Sequence, residues 1–132
     1  MAKSDKDHAE QLLDMAYRDH SALEHMLNIE DFSDEIFGFH AQQTIEKALK
    51  AWIAGKGLTY PKSHDVSALI KILTDSGQDL SEFPDLEDYT VFAVQYRYEA
   101  YDEGEEIDRS DTVKKTQSFL AHVQSLLKSI PY

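Results

Sequence analysis

Apolar residues that recur three, four and seven positions apart, over long stretches, constrain this chain more than any other feature. That spacing returns side chains to one side of an α-helix, which turns once every 3.6 residues or so. The last segment shows it most fully, with Val113, Thr116, Phe119, Leu120, Val123, Leu126, Leu127 and Ile130 on one face and Asp108 or Ser110 as its N-cap. Residues 4–28 repeat the pattern through Ala9, Leu12, Leu13, Ala16, Leu23 and Leu27, with Ser4 or Asp5 positioned to cap it. Val, Ile and Thr are too sparse for a run of alternating strands, and no internal repeat or low-complexity stretch breaks the chain.

Between these two segments the same reading predicts three further helices. After a connection at Asn28 to Phe32, one starts near Ser33, where Asp34 and Glu35 suit the positive end of the helix dipole. It runs through Phe37, Ala41, Thr44, Ala48, Ala51 and Trp52 and stops at Gly55-Lys56-Gly57. Residues 58–62 form a loop. Ser63 then caps a shorter helix that carries Val66, Leu69, Ile70 and Leu73 and ends at Ser76-Gly77. Pro84 sits in the first turn of a fourth helix, where its missing N–H costs nothing, and Leu86, Tyr89, Phe92, Ala93, Tyr96 and Ala100 follow. Residues 102–108 make an acidic loop before the final helix. Four to five helices with short links in 132 residues predict a single all-α domain, an antiparallel up-and-down bundle.

Composition removes several functional classes. The chain has no cysteine, which excludes disulfides, thiol nucleophiles and cysteine-type zinc sites. Thirteen Lys and Arg against 25 Asp and Glu give a net charge of −12, which argues against broad binding to a phosphate backbone. It leaves room for a local basic pocket. No apolar run approaches the length of a membrane helix, and residues 1–15 are too charged for a secretory leader, so the expectation is a soluble cytoplasmic protein.

The second helix carries a polar stripe. At about 100° per residue, His40, Gln43, Lys47 and Lys50 fall within one quadrant, beside an apolar arc that covers half the circumference. So wide an arc belongs to a central helix, and the stripe then runs as a seam along its edge. Donors and positive charge in that order suit the wall of a pocket for an anionic ligand. The alternative is a solvated or helix-bridging edge, with Gln43 and Lys47 as i,i+4 neighbours.

The run Phe-His-Ala-Gln-Gln-Thr-Ile-Glu-Lys-Ala-Leu-Lys-Ala over Phe39–Ala51 is followed by Lys62-Ser63-His64-Asp65 and then by Gln95-Tyr96-Arg97-Tyr98 late in a helix. In that order these motifs resemble the HEPN domain family (higher eukaryotes and prokaryotes nucleotide-binding). The resemblance spans nearly the whole chain. It implies a bundle that dimerises and that works beside a minimal nucleotidyltransferase, sometimes within a toxin–antitoxin pair. It also implies that some members cut RNA without metal, while others are binding modules without catalysis.

The ribonuclease branch of that family uses an arginine followed, about four to six residues on, by a histidine, which together supply a base for the ribose hydroxyl and a cation for the phosphorane. The matching arginine is Arg97, but no histidine occupies the window after it, and Glu99, Asp102, Glu103, Glu105 and Glu106 bring like charge to a phosphate. Arg109 lacks a following histidine too. Tyr98 and Tyr101 near Arg97 read as aromatic core and rim, and only loosely as the tyrosine that a partner nucleotidyltransferase modifies in some members.

The remaining candidates are weaker. His64-Asp65 suits either an imidazole positioned by a carboxylate or simple capping and loop anchoring. Asp19-His20 and His25 read as surface residues, and no metal-ligand spacing, calcium loop, glycine-rich phosphate loop or nucleophile elbow is present. The expectation is therefore a HEPN module that binds rather than catalyses, a homodimer in which His40, Gln43, Lys47, Lys50, His64 and Arg97 form a cleft for a nucleotide or meet a nucleotidyltransferase partner. No cofactor and no metal is expected. Two alternatives stand beside it, a divergent ribonuclease that uses Arg97 with a replacement base, and a purely structural interaction partner.

Overall fold

The computed structural model describes residues 2–27, 33–89 and 108–130. Among these residues the elements are helical: α1 (Ala2–His25), α2 (Asp34–Gly55), α3 (Val66–Asp75), a 3₁₀ turn at Leu86–Tyr89, and α4 (Arg109–Lys128). The bundle and its class agree with the periodicity. Most of the expected fourth helix, with Arg97, Tyr98 and Tyr101, and the acidic loop 102–107 lie outside the described residues.

Local chemistry explains the boundaries. Ser33 caps α2 by accepting the Ile36 N–H, and Asp108 caps α4 by accepting the Asp111 N–H, which settles the choice between Asp108 and Ser110. At α3 the cap is Asp65, which accepts from Ser67 N at 3.0 Å. Ser63 stands two residues earlier than a cap and accepts the Asp65 N–H instead. The α2 and α3 C-termini close alike. Leu58 N–H reaches back to Ile53 O and Gly57 N–H to Ala54 O, and the same pair of bonds joins Gln78 to Leu73 and Gly77 to Thr74. This closure needs a left-handed residue, and Gly57 (φ 74°) and Gly77 (φ 92°) supply it.

α2 is the central helix, packed against α1, α3 and α4, and 13 of its 22 residues are buried. The main core gathers Ala9, Leu13 and Ala16 of α1, Ile45, Leu49, Trp52 and Ile53 of α2, Leu69 and Leu73 of α3, and Phe119, Leu120 and Val123 of α4. A smaller cluster of Leu23, Met26, Phe37 and Ala41 closes the end where α1 finishes and α2 begins. Gly55 lets α4 approach α2 closely, since a Cβ there would lie 2.4 Å from Leu127 Cδ2. Among the described residues, no helix is long and apolar enough to cross a membrane.

Candidate functional site

The seam along α2 forms, and each of its lysines meets a carboxylate of the same chain. Lys47 Nζ lies 2.5 Å from Asp19 Oδ2 on α1, a half-buried pair. His40, one and a half to two turns earlier, places Nδ1 3.9 Å from Asp19 Oδ1, too far for a hydrogen bond. That nitrogen is buried and has no hydrogen-bond partner, although the ring as a whole is one-third exposed. Asp19 is thus a seam residue, although the sequence reading places it on the surface. Its neighbour His20 is likewise buried, at 4% exposure, with Nε2 donating to Val113 O at 3.1 Å and Nδ1 3.2 Å from Glu24.

The second half of the seam is organised by Glu46, whose side chain is 4% exposed. Oε2 accepts from Lys50 Nζ at 2.9 Å, and Oε1 accepts from Gln42 Nε2 at 2.9 Å and from His64 Nδ1 at 3.0 Å. Gln42, fully buried, also donates to the main-chain carbonyl of His64 at 2.9 Å, and its own oxygen accepts from Gln43 at 2.8 Å. Two side chains of α2 therefore grip one loop residue, through its backbone and through its ring. Lys50 continues the contact outward, 5.5 Å from the centroid of Tyr60, whose hydroxyl is hydrogen-bonded to His8 Nε2 at 2.8 Å.

Burial alone would raise the Glu46 pKa. Hydrogen bonds from Lys50, Gln42 and His64, with the charge of Lys50, outweigh it and hold the carboxyl below its ordinary value. Glu46 is ionised, and a carboxylate only accepts, so the shared hydrogen sits on His64 Nδ1. The imidazole is positioned by a carboxylate, as the sequence allows, but the partner is Glu46 and not Asp65, which serves α3 as its cap.

Of the six residues expected to form a cleft, the structure brings His40, Gln43, Lys47, Lys50 and His64 onto one edge of α2 and the loop that follows it. Arg97 lies outside the described residues. Sequence reasoning missed Asp19, Gln42 and Glu46. The i,i+4 ladder Gln42-Glu46-Lys50 was the available signal. Paired in this way, Lys47 and Lys50 offer directed hydrogen bonds more than free positive charge. Among the described residues, no group of three or more His, Asp or Glu side chains is placed to hold a metal ion.

No curated protein and no solved structure matches the chain. The family model of the HEPN domain matches residues 9–126, from the first turns of α1 to the last turn of α4. The chain belongs to the HEPN domain family.

Proposed function

We propose that this chain is a non-catalytic HEPN module that recognises a nucleotidyltransferase partner, or the nucleotide such a partner handles, through the α2 seam. The observation that carries the reading is the double pairing along one helix edge, Lys47 with Asp19 and Lys50 with Glu46, which with the bonds of Gln43 to Gln42 and His64 to Glu46 holds three partly exposed side chains, Gln43, Lys47 and His64, in fixed positions beside His40. Side chains fixed before binding lose little freedom on association, which favours specific recognition. Because each seam lysine is charge-balanced within the chain, the seam favours a partner surface with both donors and acceptors over a bare polyanion. The net charge of −12 points the same way.

The test is recovery of the tagged chain from its native lysate, with co-purifying proteins and small molecules identified by mass spectrometry. A stoichiometric nucleotidyltransferase, with or without nucleotide, is expected, and Lys47→Ala or Arg97→Ala should weaken its binding by about 1–3 kcal/mol with the fold intact. A lone chain carrying neither partner nor nucleotide would overturn the proposal.

A further inference from the structure

His64 differs from every other described histidine in one respect. Its ring is about half exposed, at 53%, while its Nδ1 is tied to a carboxylate that is itself buried and ionised. In the neutral ring, a hydrogen held on Nδ1 leaves the lone pair on Nε2. The other rings lack this combination. His20 is buried, His122 packs between Trp52 and Phe83, and His8 engages Tyr60 through Nε2 itself. His40 Nδ1 has no hydrogen-bond partner. His25 comes nearest, exposed and donating from Nδ1 to Ser21 O at 2.8 Å, but that acceptor is a neutral carbonyl.

The distinction matters when Nε2 attacks an electrophile. The attack leaves the ring cationic, with its Nδ1 hydrogen in place, and the Glu46 carboxylate stabilises the charge as it develops. A neutral carbonyl does so less. Two lysines lie near His64 in space or in sequence, and the exposed Asp65 follows it directly. Lys50 shares the Glu46 carboxylate with the His64 ring, and Lys62 stands exposed two residues before it.

We propose that His64 is a phosphoryl-accepting residue, taking the group at Nε2 from an N-phosphoryl donor, a small phosphoramidate or the phosphohistidine of another protein. In the step, the Nε2–P bond forms as the donor's N–P bond breaks. The electron pair leaves with the donor nitrogen, as ammonia from phosphoramidate or as a neutral imidazole from a phosphohistidine. The His64 ring becomes an imidazolium whose Nδ1–H stays on Glu46. The proposal does not depend on partner or nucleotide recognition, since it concerns the isolated chain.

The test is incubation of the full chain with potassium phosphoramidate, with the acid-labile, alkali-stable product located by mass spectrometry. His64 should be labelled first, and several times faster than His25, because its partner is charged while that of His25 is neutral. His64→Gln should remove that label while the other histidines keep theirs. Glu46→Gln, where circular dichroism shows it folded, should bring the His64 rate down to that of His25. Should Glu46→Gln not fold, long-range ¹H–¹⁵N NMR of the wild-type rings in their neutral form decides, with the His64 hydrogen expected on Nδ1 and not on Nε2. Labelling of His64 no faster than His25, an unchanged rate in folded Glu46→Gln, or a neutral His64 ring with its hydrogen on Nε2 would overturn the proposal.

Discussion

Arg109 and Glu46 are both charged and both buried, at 5% and 3% exposure, yet they hold the bundle in opposite ways. Arg109 turns its charge inward. Its Nε and Nη2 reach Asp34 Oδ1 at 3.1 and 2.8 Å, Nη1 donates to Met26 O at 2.7 Å, and the guanidinium lies 5.1 Å from the Phe37 ring centroid. It therefore joins the end of α1 and the starts of α2 and α4 at a single point. Glu46 instead accepts from three donors, Lys50, Gln42 and His64, and the last of them is a half-exposed ring. A buried charge that ties helix ends together, as Arg109 does through Asp34 and Met26, is a clamp, and one that fixes an exposed side chain also shapes the surface. Burial alone does not separate the two; the exposure of the partner does.

The largest effect expected from breaking this comparison is at the clamp. Arg109→Ala leaves the Asp34 carboxylate and the Met26 carbonyl without their donor, and should lower the unfolding free energy by about 3–5 kcal/mol in urea titrations. Arg109→Lys should recover only part of it, because a single ammonium cannot reproduce the planar fork that serves both partners. A loss for Arg109→Ala smaller than that for Glu46→Gln would reverse the ranking of the two charges.

At the seam, Glu46→Gln keeps the shape, removes the charge, and turns one acceptor into a donor that faces Lys50 or His64. A loss of about 1–3 kcal/mol at neutral pH is expected, measured in the same way. The pH dependence is the sharper readout. A carboxyl held below its ordinary value of 4.5 contributes stability that is fully present above that value. The contribution fades as pH falls below 4.5 through the lower folded value. Wild type should therefore lose stability on that acid limb faster than Glu46→Gln, and the two curves should converge toward low pH. Parallel curves would mean that the Glu46 charge is not what holds the seam.

Much of this architecture is legible in the sequence because it is local. The Ser33 and Asp108 caps, the glycine closures after α2 and α3, and the apolar faces of α2 and α4 all draw on residues a few positions apart. The polar stripe was legible for the same reason. What escaped was long-range: Asp19 with Lys47 is separated by 28 positions, Glu46 with His64 by 18, and Arg109 with Asp34 by 75. Nothing around Asp19-His20 signals that α4 will set the Val113 carbonyl over His20, so a short polar pair on a helix reads as surface. Glu46 was hidden by its own neighbours. A carboxylate followed by Lys47 and Lys50 looks solvated until the loop carrying His64 folds over it.

A smaller effect is expected at α3. Asp65→Ala removes the one side-chain acceptor at the helix start and should cost about 1 kcal/mol. The Glu46–His64 bond does not depend on that cap, so the phosphoramidate labelling of His64 should persist. Loss of both together would tie the two functions that the structure separates.

The smallest stability effect belongs to Lys47, and it sharpens the contrast most. The Asp19–Lys47 pair is about one-fifth exposed on each side, so solvent screens it more than the Arg109 clamp. A double-mutant cycle of Asp19→Asn and Lys47→Ala should give a coupling of about 0.5–1 kcal/mol, which falls as salt rises. If the seam is a recognition surface, Lys47→Ala should weaken partner binding by more than it weakens the fold. A structural pair would show the reverse, with partner recovery unchanged while stability falls. The ratio of the two losses, measured on one variant, separates a side chain held in place for a partner from one that only joins α1 to α2.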